Sequence, residues 1–283
     1  MKPPPFEYHA PATLEEALAL LADEETDAKP LAGGQSLVPM MNMRLAWPAA
    51  LVDLNRVEEL AGLRVDDGRL CAGAMVRQRE LERSPLVREH CPLLAEALPF
   101  IGHTATRARG TVGGSIAHAD PAAEIPTVLT ALGGEVVVEG PRGSRVVAAD
   151  DLFLGYFSVA LEPGELISEV RFPVATEGHG YAFEEFARRF GDFALAGVAA
   201  SVDPDGDVRL ALCGAAAKPV RATRAEEAAR SGGLTDDAID ESARLAAAEA
   251  EPPSDMHGDA EYRRELVGAL CGRALRRARE AAR

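Results

Sequence analysis

The chain has 283 residues, of which 47% are hydrophobic, and a formal net charge of −15 at pH 7. This length allows two or three compact units with cores of their own. The negative charge argues against nucleic acid and anionic membrane as general partners. No apolar run approaches the roughly 20 residues that span a bilayer, and the N-terminus lacks the apolar segment of a signal peptide. These features predict a cytoplasmic protein with no integral membrane segment.

The four cysteines stand far apart in the sequence, with no C-x-x-C pair. They are Cys71, Cys91, Cys213 and Cys271. This spacing gives little support to a disulfide framework, a structural zinc site or an iron–sulfur cluster, each of which needs thiols brought together. We therefore expect isolated reduced thiols and no metal site in this chain.

The predicted elements alternate between helix and strand along the first two thirds of the chain. Thr13 caps a first helix in 13–23, whose Leu14, Leu18 and Leu21 share one face. Predicted strands follow in 29–34, 49–57 and 68–76, and a turn at 66–68 precedes the last of them. Residues 82–102 have helical spacing that is broken by Pro92 and Pro99. A short helix over 127–134, a hairpin over 135–147, and a helix, turn and strand over 151–173 complete this part.

The last third of the chain has a different pattern of predicted elements, which indicates a second structural unit. Glycine and polar residues interrupt the pattern in 174–181, which is a plausible boundary. A hairpin around the DPDG turn is predicted over 194–222, and helices over 235–250 and 260–283. The basic stretch RALRRARE in the last helix is typical of a solvated face.

Two glycine pairs with similar flanks carry the functional signal. Gly33–Gly34 lies in AGGQS and Gly113–Gly114 in TVGGS, with hydroxyls close by at Ser36, Thr111 and Ser115. Glycine adopts positive φ without penalty, so each pair could turn successive N–H groups inward as an anion nest. The two pairs together predict a pyrophosphate held between two loops.

The alternative is that each pair is an ordinary turn, which is the commonest use of glycine. Neither segment matches G-x-G-x-x-G or G-x-x-x-x-G-K-[ST], so a Rossmann or P-loop site is disfavoured. Asp120–Pro121 is typical of a helix cap followed by proline in the first turn, whereas Pro126 predicts that this helix is interrupted. The residues alone thus predict a phosphate-bearing cofactor and leave two plain turns as the rival.

Longer stretches resemble one family. AGGQSLVPMMNMRL and TVGGSIAHADPAAEIP resemble the two flavin-binding motifs of the FAD-binding (medium) subunit of the molybdenum hydroxylases, the group of aerobic carbon monoxide dehydrogenase and the bacterial xanthine dehydrogenases. The resemblance continues in LFLGYFSVALEPGELISEVRFP, FARRFGDFALAG and HGDAEYRRELVGALCGRAL. It covers nearly the whole chain, in family order.

The resemblance implies an α+β fold of two domains. Residues 1–175 would form an FAD-binding domain of the vanillyl-alcohol-oxidase (PCMH-like) type, with subdomains at about 1–57 and 58–175. Residues 176–283 would form a C-terminal domain of the carbon monoxide dehydrogenase flavoprotein type, with a small antiparallel sheet and helices.

The resemblance also implies which residues hold FAD, bound without a covalent link. The first motif, whose amides hold the diphosphate, comprises Lys29, Pro30, Leu31, Ala32, Gly33, Gly34, Gln35, Ser36 and Leu37. The second region comprises Ile101, Gly102, Thr106, Gly110, Thr111, Val112, Gly113, Gly114, Ser115, Ala117, Asp120 and Glu124. Glu124 stands where the family usually has Asp, Ile167 near a backbone contact to the isoalloxazine ring, and Phe193 is a candidate for lying beside it.

Two positions depart from the family pattern. Gln35 stands where many relatives have His, and Glu185 about where several have a flavin-contacting Lys. A positive group near the ring stabilises reduced, anionic flavin, so its absence would lower the reduction potential. His118, in the second motif, either supports the shape of the segment or is an ordinary hydrogen-bonded histidine.

The implied function needs no catalytic residue in this chain. FAD here would receive electrons from a [2Fe–2S] subunit, after a molybdopterin subunit has oxidised the substrate, and would pass them to an external acceptor. The expected assembly is a dimer of heterotrimers, with 75–86 or 188–197 as candidate interface segments.

Two alternatives remain open at this level. One is a stand-alone FAD-dependent reductase of the same fold, such as the reductase of cell-wall precursor synthesis, although no Ser or Glu constellation can be assigned as its proton donor. The other is a non-enzymatic flavin-binding module.

Overall fold

The computed structural model describes residues 2–23 and 25–282. Arg283, the last residue of the predicted C-terminal helix, lies outside them. The chain begins with a small parallel sheet and two helices. These elements are β1 (Glu7–His9), α1 (Leu14–Leu21), β2 (Ala28–Leu31), α2 (Leu37–Asn42) and β3 (Ala50–Asp53).

The small sheet has the strand order β1-β3-β2, and both pairs are parallel. The carboxyl ends of β2 and β3 therefore lie at the same edge. The predicted strand at 49–57 is shorter than expected, because short 3₁₀ turns over Leu54–Arg56 and Glu58–Leu60 follow β3. Thr13 caps α1 through the N–H of Glu16, as predicted.

The second group of elements surrounds a five-stranded antiparallel sheet of order β4-β5-β10-β6-β7. It comprises β4 (Leu63–Asp66), β5 (Arg69–Gly73), α3 (Gln78–Arg83), α4 (Pro85–His90), α5 (Pro92–Ala97), α6 (Thr104–Arg109), α7 (Val112–His118), α8 (Glu124–Leu132), β6 (Glu135–Gly140), β7 (Gly143–Ala148), α9 (Ala149–Leu152), β8 (Phe153–Gly155), β9 (Ser158–Val159) and β10 (Leu166–Pro173). The predicted turn at 66–68 and the hairpin at 135–147 are confirmed.

Three predictions for this group are wrong. Helix α8 does not begin at Asp120–Pro121; Asp120 instead accepts the N–H of Ala122 (2.9 Å) in a turn, and the helix starts at Glu124. Pro126 does not interrupt it, because proline in the first turn lacks only an N–H that the helix does not use. The helix predicted from Asp151 is α9, which ends at Leu152 and gives way to the β8–β9 hairpin.

The third group packs a four-stranded antiparallel sheet, β11-β12-β13-β14, against three helices. It comprises β11 (Gly180–Phe186), β12 (Ala196–Val202), β13 (Val208–Cys213), β14 (Val220–Arg221), α10 (Thr223–Ser231), α11 (Asp236–Glu249) and α12 (Ala260–Ala281). The predicted hairpin and both helices are confirmed. Among the helices of the described residues, none is long and apolar enough to cross a membrane.

Helix α8 lies between the two antiparallel sheets. Its residues from Glu124 to Ala131 are buried, on every face of the helix. One large core under the five-stranded sheet also contains Phe183, Ala199 and Ala211 from the third group. The carboxyl pair described below, Glu124 and Glu185, lies where α8 meets that third group, and the shared core holds the two parts in a defined relation.

Gly180 allows β11 to pack directly on α12. A Cβ at this position would lie 2.7 Å from the backbone nitrogen of Ala282 and would collide with the carbonyl of Ala278. We expect Gly180→Ala to lower the free energy of unfolding by about 1–3 kcal/mol, because neither backbone can move aside cheaply. Urea denaturation measures the change. Gly155→Ala is the matched control, since nothing lies within 4 Å of its added Cβ; equal losses in the two variants would contradict the packing argument.

Candidate functional site

The first glycine segment is a loop at the carboxyl edge of the parallel sheet. Strand β2 ends at Leu31, residues 32–36 form the loop, and α2 begins at Leu37. Gly34 has a φ of 71°, which favours glycine, whereas Gly33 does not have positive φ. The Gln35 side chain donates a hydrogen bond back to the Gly33 carbonyl (3.3 Å).

The backbone of this loop presents unused donors. Within the part of the chain that the structure describes, the N–H groups of Gly33, Gly34, Gln35 and Ser36 find no protein acceptor, and the Ser36 hydroxyl makes no capping bond. Buried backbone N–H groups in folded proteins nearly always have a partner, and Gly33 is buried. Four consecutive free donors are the donor set that an anionic group such as a diphosphate requires.

The second glycine pair does not form a nest, contrary to the prediction. Gly113 and Gly114 lie inside α7, which Thr111 caps by accepting the Gly114 N–H (3.0 Å). The N–H of Gly113 donates to the Ala74 carbonyl (2.9 Å). These glycines are needed for close packing: a Cβ on Gly113 would lie 2.8 Å from the Cα of Ala74.

The two segments nevertheless touch. A Cβ on Gly33 would lie 2.8 Å from the Cα of Gly110 and would collide with the Arg109 carbonyl. On the other side, a Cβ on Gly114 would reach to 3.5 Å from the Cβ of Ala32. The structure therefore brings the first motif into contact with the start of α7. We call the surface where they meet the cleft, and the two segments its walls.

Arg109 and Arg77 supply local positive charge at this cleft. Arg77 donates to the Arg109 carbonyl (2.6 Å), and burial, followed by the charge of Arg109, lowers the pKa of Arg77 from its ordinary value. Two arginines beside the first glycine loop supply a local attraction for an anion, which the net charge of −15 does not supply.

A buried arginine holds the next predicted segment in place. Arg107 is 4% exposed and donates to the carbonyls of Ile101 (2.8 Å) and Gly102 (3.2 Å), while Glu82 pairs with its other nitrogens. Gly102 has a φ of 43° and packs on Thr106. Ile101, Gly102 and Thr106 thus form one rigid turn before the second glycine segment.

Two carboxyl groups are poorly solvated beyond this turn: Glu124 is buried and Glu185 is half-buried. Desolvation, with a small contribution from Asp120, raises the pKa of Glu124 to about 7. Desolvation and the charge of Glu124 raise the pKa of Glu185 to about 9, and its Oε2 atom has no hydrogen-bond partner. Glu185 pairs across the sheet with Gly197, which pairs with Cys213. The result is a desolvated acidic pocket at the start of α8.

The remaining predicted residues fall into two sets. Ile167 is buried in β10, next to a bulge at Ser168. The Ser168 carbonyl accepts the Ala74 N–H (2.8 Å), and the Ala74 carbonyl accepts the Gly113 N–H. These two hydrogen bonds connect the strand segment at Ile167 to the second motif. The other set consists of exposed residues that make no contact described above: Lys29, Pro30, Ala117 and Phe193. Phe193 is 77% exposed and lies in the loop between β11 and β12.

His118 has a structural environment. Its ring packs against Phe157 in a tilted arrangement (5.0 Å between centroids, 39° between planes), and burial lowers its pKa, although the charge of Asp120 acts in the opposite direction. The neighbouring Ala119 has a φ of 50° and its carbonyl accepts the Phe157 N–H. His118 supports the turn after α7.

Sequence reasoning missed Asn55, Arg77 and Arg107, whose side chains hold the predicted segments. Asn55 donates to the Ala32 carbonyl (3.1 Å). The signal for Asn55 was available: it follows β3, and parallel pairing of β2 and β3 would have placed it beside the first glycine loop. Arg107 gives no local signal, because its partners are carbonyl groups that any sequence carries.

All four cysteines are free and buried. Within the described residues, no three His, Cys, Asp or Glu side chains gather as a metal site.

The chain is 41% identical over 279 residues to the carbon monoxide dehydrogenase medium chain of Hydrogenophaga pseudoflava, which covers 97% of both chains. It is 40% identical to the 6-hydroxypseudooxynicotine dehydrogenase complex subunit alpha of Paenarthrobacter nicotinovorans, covering 100% of this chain and 97% of that one. The solved carbon monoxide dehydrogenase from Hydrogenophaga pseudoflava that lacks the Mo-pyranopterin moiety superposes with a TM-score of 0.95 at 42% identity, covering 98% of each chain.

Family descriptions match both parts of the chain. Residues 4–175 match the FAD binding domain in molybdopterin dehydrogenase, and residues 181–278 match the CO dehydrogenase flavoprotein C-terminal domain. The fold class and the family resemblance expected from the sequence are confirmed. This chain belongs to the family of FAD-binding medium subunits of the molybdenum hydroxylases.

Proposed function

We propose that this chain is the FAD-carrying electron-transfer subunit of a molybdenum hydroxylase, taking electrons from a [2Fe–2S] subunit and passing them to an external acceptor. The observation that carries the proposal is the row of unused N–H groups from Gly33 to Ser36, set against the start of α7. This arrangement, in a chain of this family, fits the diphosphate of FAD. When bound, FAD supplies the redox chemistry, and the protein supplies binding, orientation and electrostatics.

The residues of this chain have distinct tasks toward the cofactor. The loop amides and the Ser36 hydroxyl would donate to the diphosphate, and Arg77 and Arg109 would balance its charge. The close contact of Gly33 with Gly110 would exclude water on that side of the loop. The Ile101–Gly102 turn, fixed by Arg107, would support the cofactor beyond the diphosphate.

We infer the same cofactor contacts as the family pattern implies. They are Lys29, Pro30, Leu31, Ala32, Gly33, Gly34, Gln35, Ser36, Leu37, Ile101, Gly102, Thr106, Gly110, Thr111, Val112, Gly113, Gly114, Ser115, Ala117, Asp120, Glu124, Ile167 and Phe193. Support is strongest for the free donors of the first loop. For Val112–Gly114 the contact is through packing, since their N–H groups are engaged by protein acceptors.

Glu185 is proposed to lie beside the flavin as a neutral acid. A charged carboxylate there would oppose reduction, because reduced flavin is anionic. Burial and the neighbouring Glu124 raise the pKa of Glu185 to about 9, so the side chain is protonated at pH 7. The exchange of Lys for Glu at this position removes a positive charge without adding a negative one.

Of the two candidate interface segments, we favour 188–197. In 75–86, the apolar side chains Met75, Val76 and Leu81 are buried in the protein, which leaves mainly charged groups on the surface. In 188–197, Phe190 and Phe193 are 73% and 77% exposed. Exposed aromatic side chains are enriched at the centres of protein interfaces.

The larger context is proposed from the same family membership. The chain works with an iron–sulfur subunit and a molybdopterin subunit, as a dimer of heterotrimers, in the cytoplasm, where the four free thiols stay reduced. Its domains are 1–175, with subdomains at about 1–57 and 58–175, and 176–283; the two family matches support the main division. The substrate is chosen in another chain.

Flavin spectroscopy tests the function. The full chain, expressed alone and together with its two presumed partners, should show flavin absorption, and acid precipitation should release the colour to the supernatant. Substrate should reduce the flavin only in the complex. Reduction of the isolated chain by NADPH together with turnover of an organic substrate would favour the stand-alone reductase, and flavin that the complex never reduces would favour a binding module.

Gly33→Ala should remove FAD from the chain while leaving it folded. The added Cβ would collide with the carbonyl of Arg109 in the other wall of the cleft, so the two segments would separate. We expect flavin content to fall at least about tenfold, measured from the ratio of flavin to protein absorbance, with the circular dichroism of the apoprotein retained. Gly155→Ala, in open space, is the control; normal flavin content in Gly33→Ala would show that this contact does not shape the site.

The free energy of unfolding should fall as pH rises from about 5 to 9. A carboxyl whose pKa is raised in the folded state holds a proton that the unfolded chain releases near pH 4.5, so its stabilising effect is lost as pH rises through the folded pKa, about 9 for Glu185. We expect Glu185→Gln to be more stable than wild type by about 1–3 kcal/mol at pH 8, with the difference shrinking toward pH 5.

Denaturation of the apoprotein at several pH values measures this difference. Glu184→Gln is the control, because Glu184 belongs to the same strand but pairs with Arg277 (2.7 Å). A difference between Glu185→Gln and wild type that does not change with pH would contradict the buried-proton assignment.

A further inference from the structure

Side chains from outside both glycine segments join the two walls of the cleft. Arg77 lies at the junction of β5 and α3, and its guanidinium donates to the Arg109 carbonyl (2.6 Å), in the second wall. The same guanidinium donates to the Asn55 side chain, and Asn55 donates to the Ala32 carbonyl (3.1 Å), in the first wall. The chain of contacts Ala32–Asn55–Arg77–Arg109 therefore spans the cleft from one backbone to the other.

A third group anchors this chain of contacts. Asp53, at the end of β3, accepts hydrogen bonds from the backbone N–H (3.0 Å) and the side chain of Asn55, and Tyr8 donates to the same carboxylate. These bonds and the nearby Arg77 lower the pKa of Asp53, although its burial acts in the opposite direction. The orientation of the Asn55 side chain is thus fixed by Asp53 as well as by Ala32 and Arg77.

The bond to Ala32 has a direct effect on the donor set. A peptide group is planar and trans, so the Ala32 carbonyl and the Gly33 N–H point in opposite directions. By holding the carbonyl, Asn55 fixes the Gly33 N–H in the direction opposite to the Asn55 side chain. Gln35 acts in the same way on the next peptide, because its side chain donates to the Gly33 carbonyl (3.3 Å), which shares a peptide with the Gly34 N–H.

We propose that Asn55 and Arg77 are positioning residues for the diphosphate, Asn55 by orienting the Ala32–Gly33 peptide and Arg77 by setting the separation of the two walls. Neither residue needs to touch the cofactor. Asn55 is exposed and belongs to none of the hydrophobic cores, so its replacement leaves the packing intact. The inference rests on the proposed function, because it assumes that FAD binds through this loop.

The test compares FAD and ADP binding to the apoprotein of the full chain, for wild type, Asn55→Ala, Arg77→Lys and the double variant. We expect each single change to weaken FAD binding about tenfold or more, and the double change to weaken it by clearly less than the product, because both residues act through one chain of contacts. ADP carries the diphosphate without the flavin, so its affinity should fall by similar factors. The melting temperature of the apoprotein should stay nearly constant.

Arg88→Lys is the matched control, since Arg88 also donates to a backbone carbonyl, that of Arg83 (3.2 Å), on a different surface. Arg77→Lys keeps the positive charge but cannot reach two acceptors in a fixed fork, so wild-type affinity in this variant would show that charge alone matters and would overturn the proposal. A loss for FAD without any loss for ADP would also overturn it. Failure of the wild-type chain to bind FAD would instead refute the proposed function.

Discussion

The structure depends on one close approach, that of the Gly33 backbone to the backbone of Arg109 and Gly110. No side chain fits between them, and this contact places the first loop beside the start of α7. The loop can then present consecutive N–H groups to one region of space, and the side chains of Asn55 and Arg77 can bridge the walls. Everything inferred about the cofactor follows from this contact, since a diphosphate needs several donors within a few ångströms of one another.

The second constraint is the burial of α8 between two sheets. Because the helix is covered on every side, its first residue, Glu124, is buried, and the nearby Glu185 is half-buried. Buried carboxyls without a basic partner stay protonated rather than charged. The region proposed for the flavin ring is consequently close to neutral, whereas the region proposed for the diphosphate is positive. The local charge would thus differ between the two ends of the cofactor, although the chain as a whole has a charge of −15.

Much of the fold could be predicted from local patterns, because hairpins and amphipathic helices carry their signals within a few residues. The turn at 66–68, the hairpins around 140 and 205, and the capped helix α1 are examples. The errors came where tertiary contacts decide the local conformation. Gly113–Gly114 has the composition of a loop but is helical, because it packs against Ala74 and needs the absence of side chains rather than positive φ.

The sequence by itself determined the family and the cofactor class, because long motifs in a constant order carry that information without a structure. Tertiary structure alone decided which donors are free, since an N–H group is available only when no distant carbonyl accepts it. It also decided the raised pKa of Glu185, because desolvation depends on what covers a side chain. The roles of Asn55 and Arg77 belong to this second class: their partners are backbone carbonyls, and only the parallel pairing of β2 with β3 and the contact at Gly33 bring those carbonyls within reach.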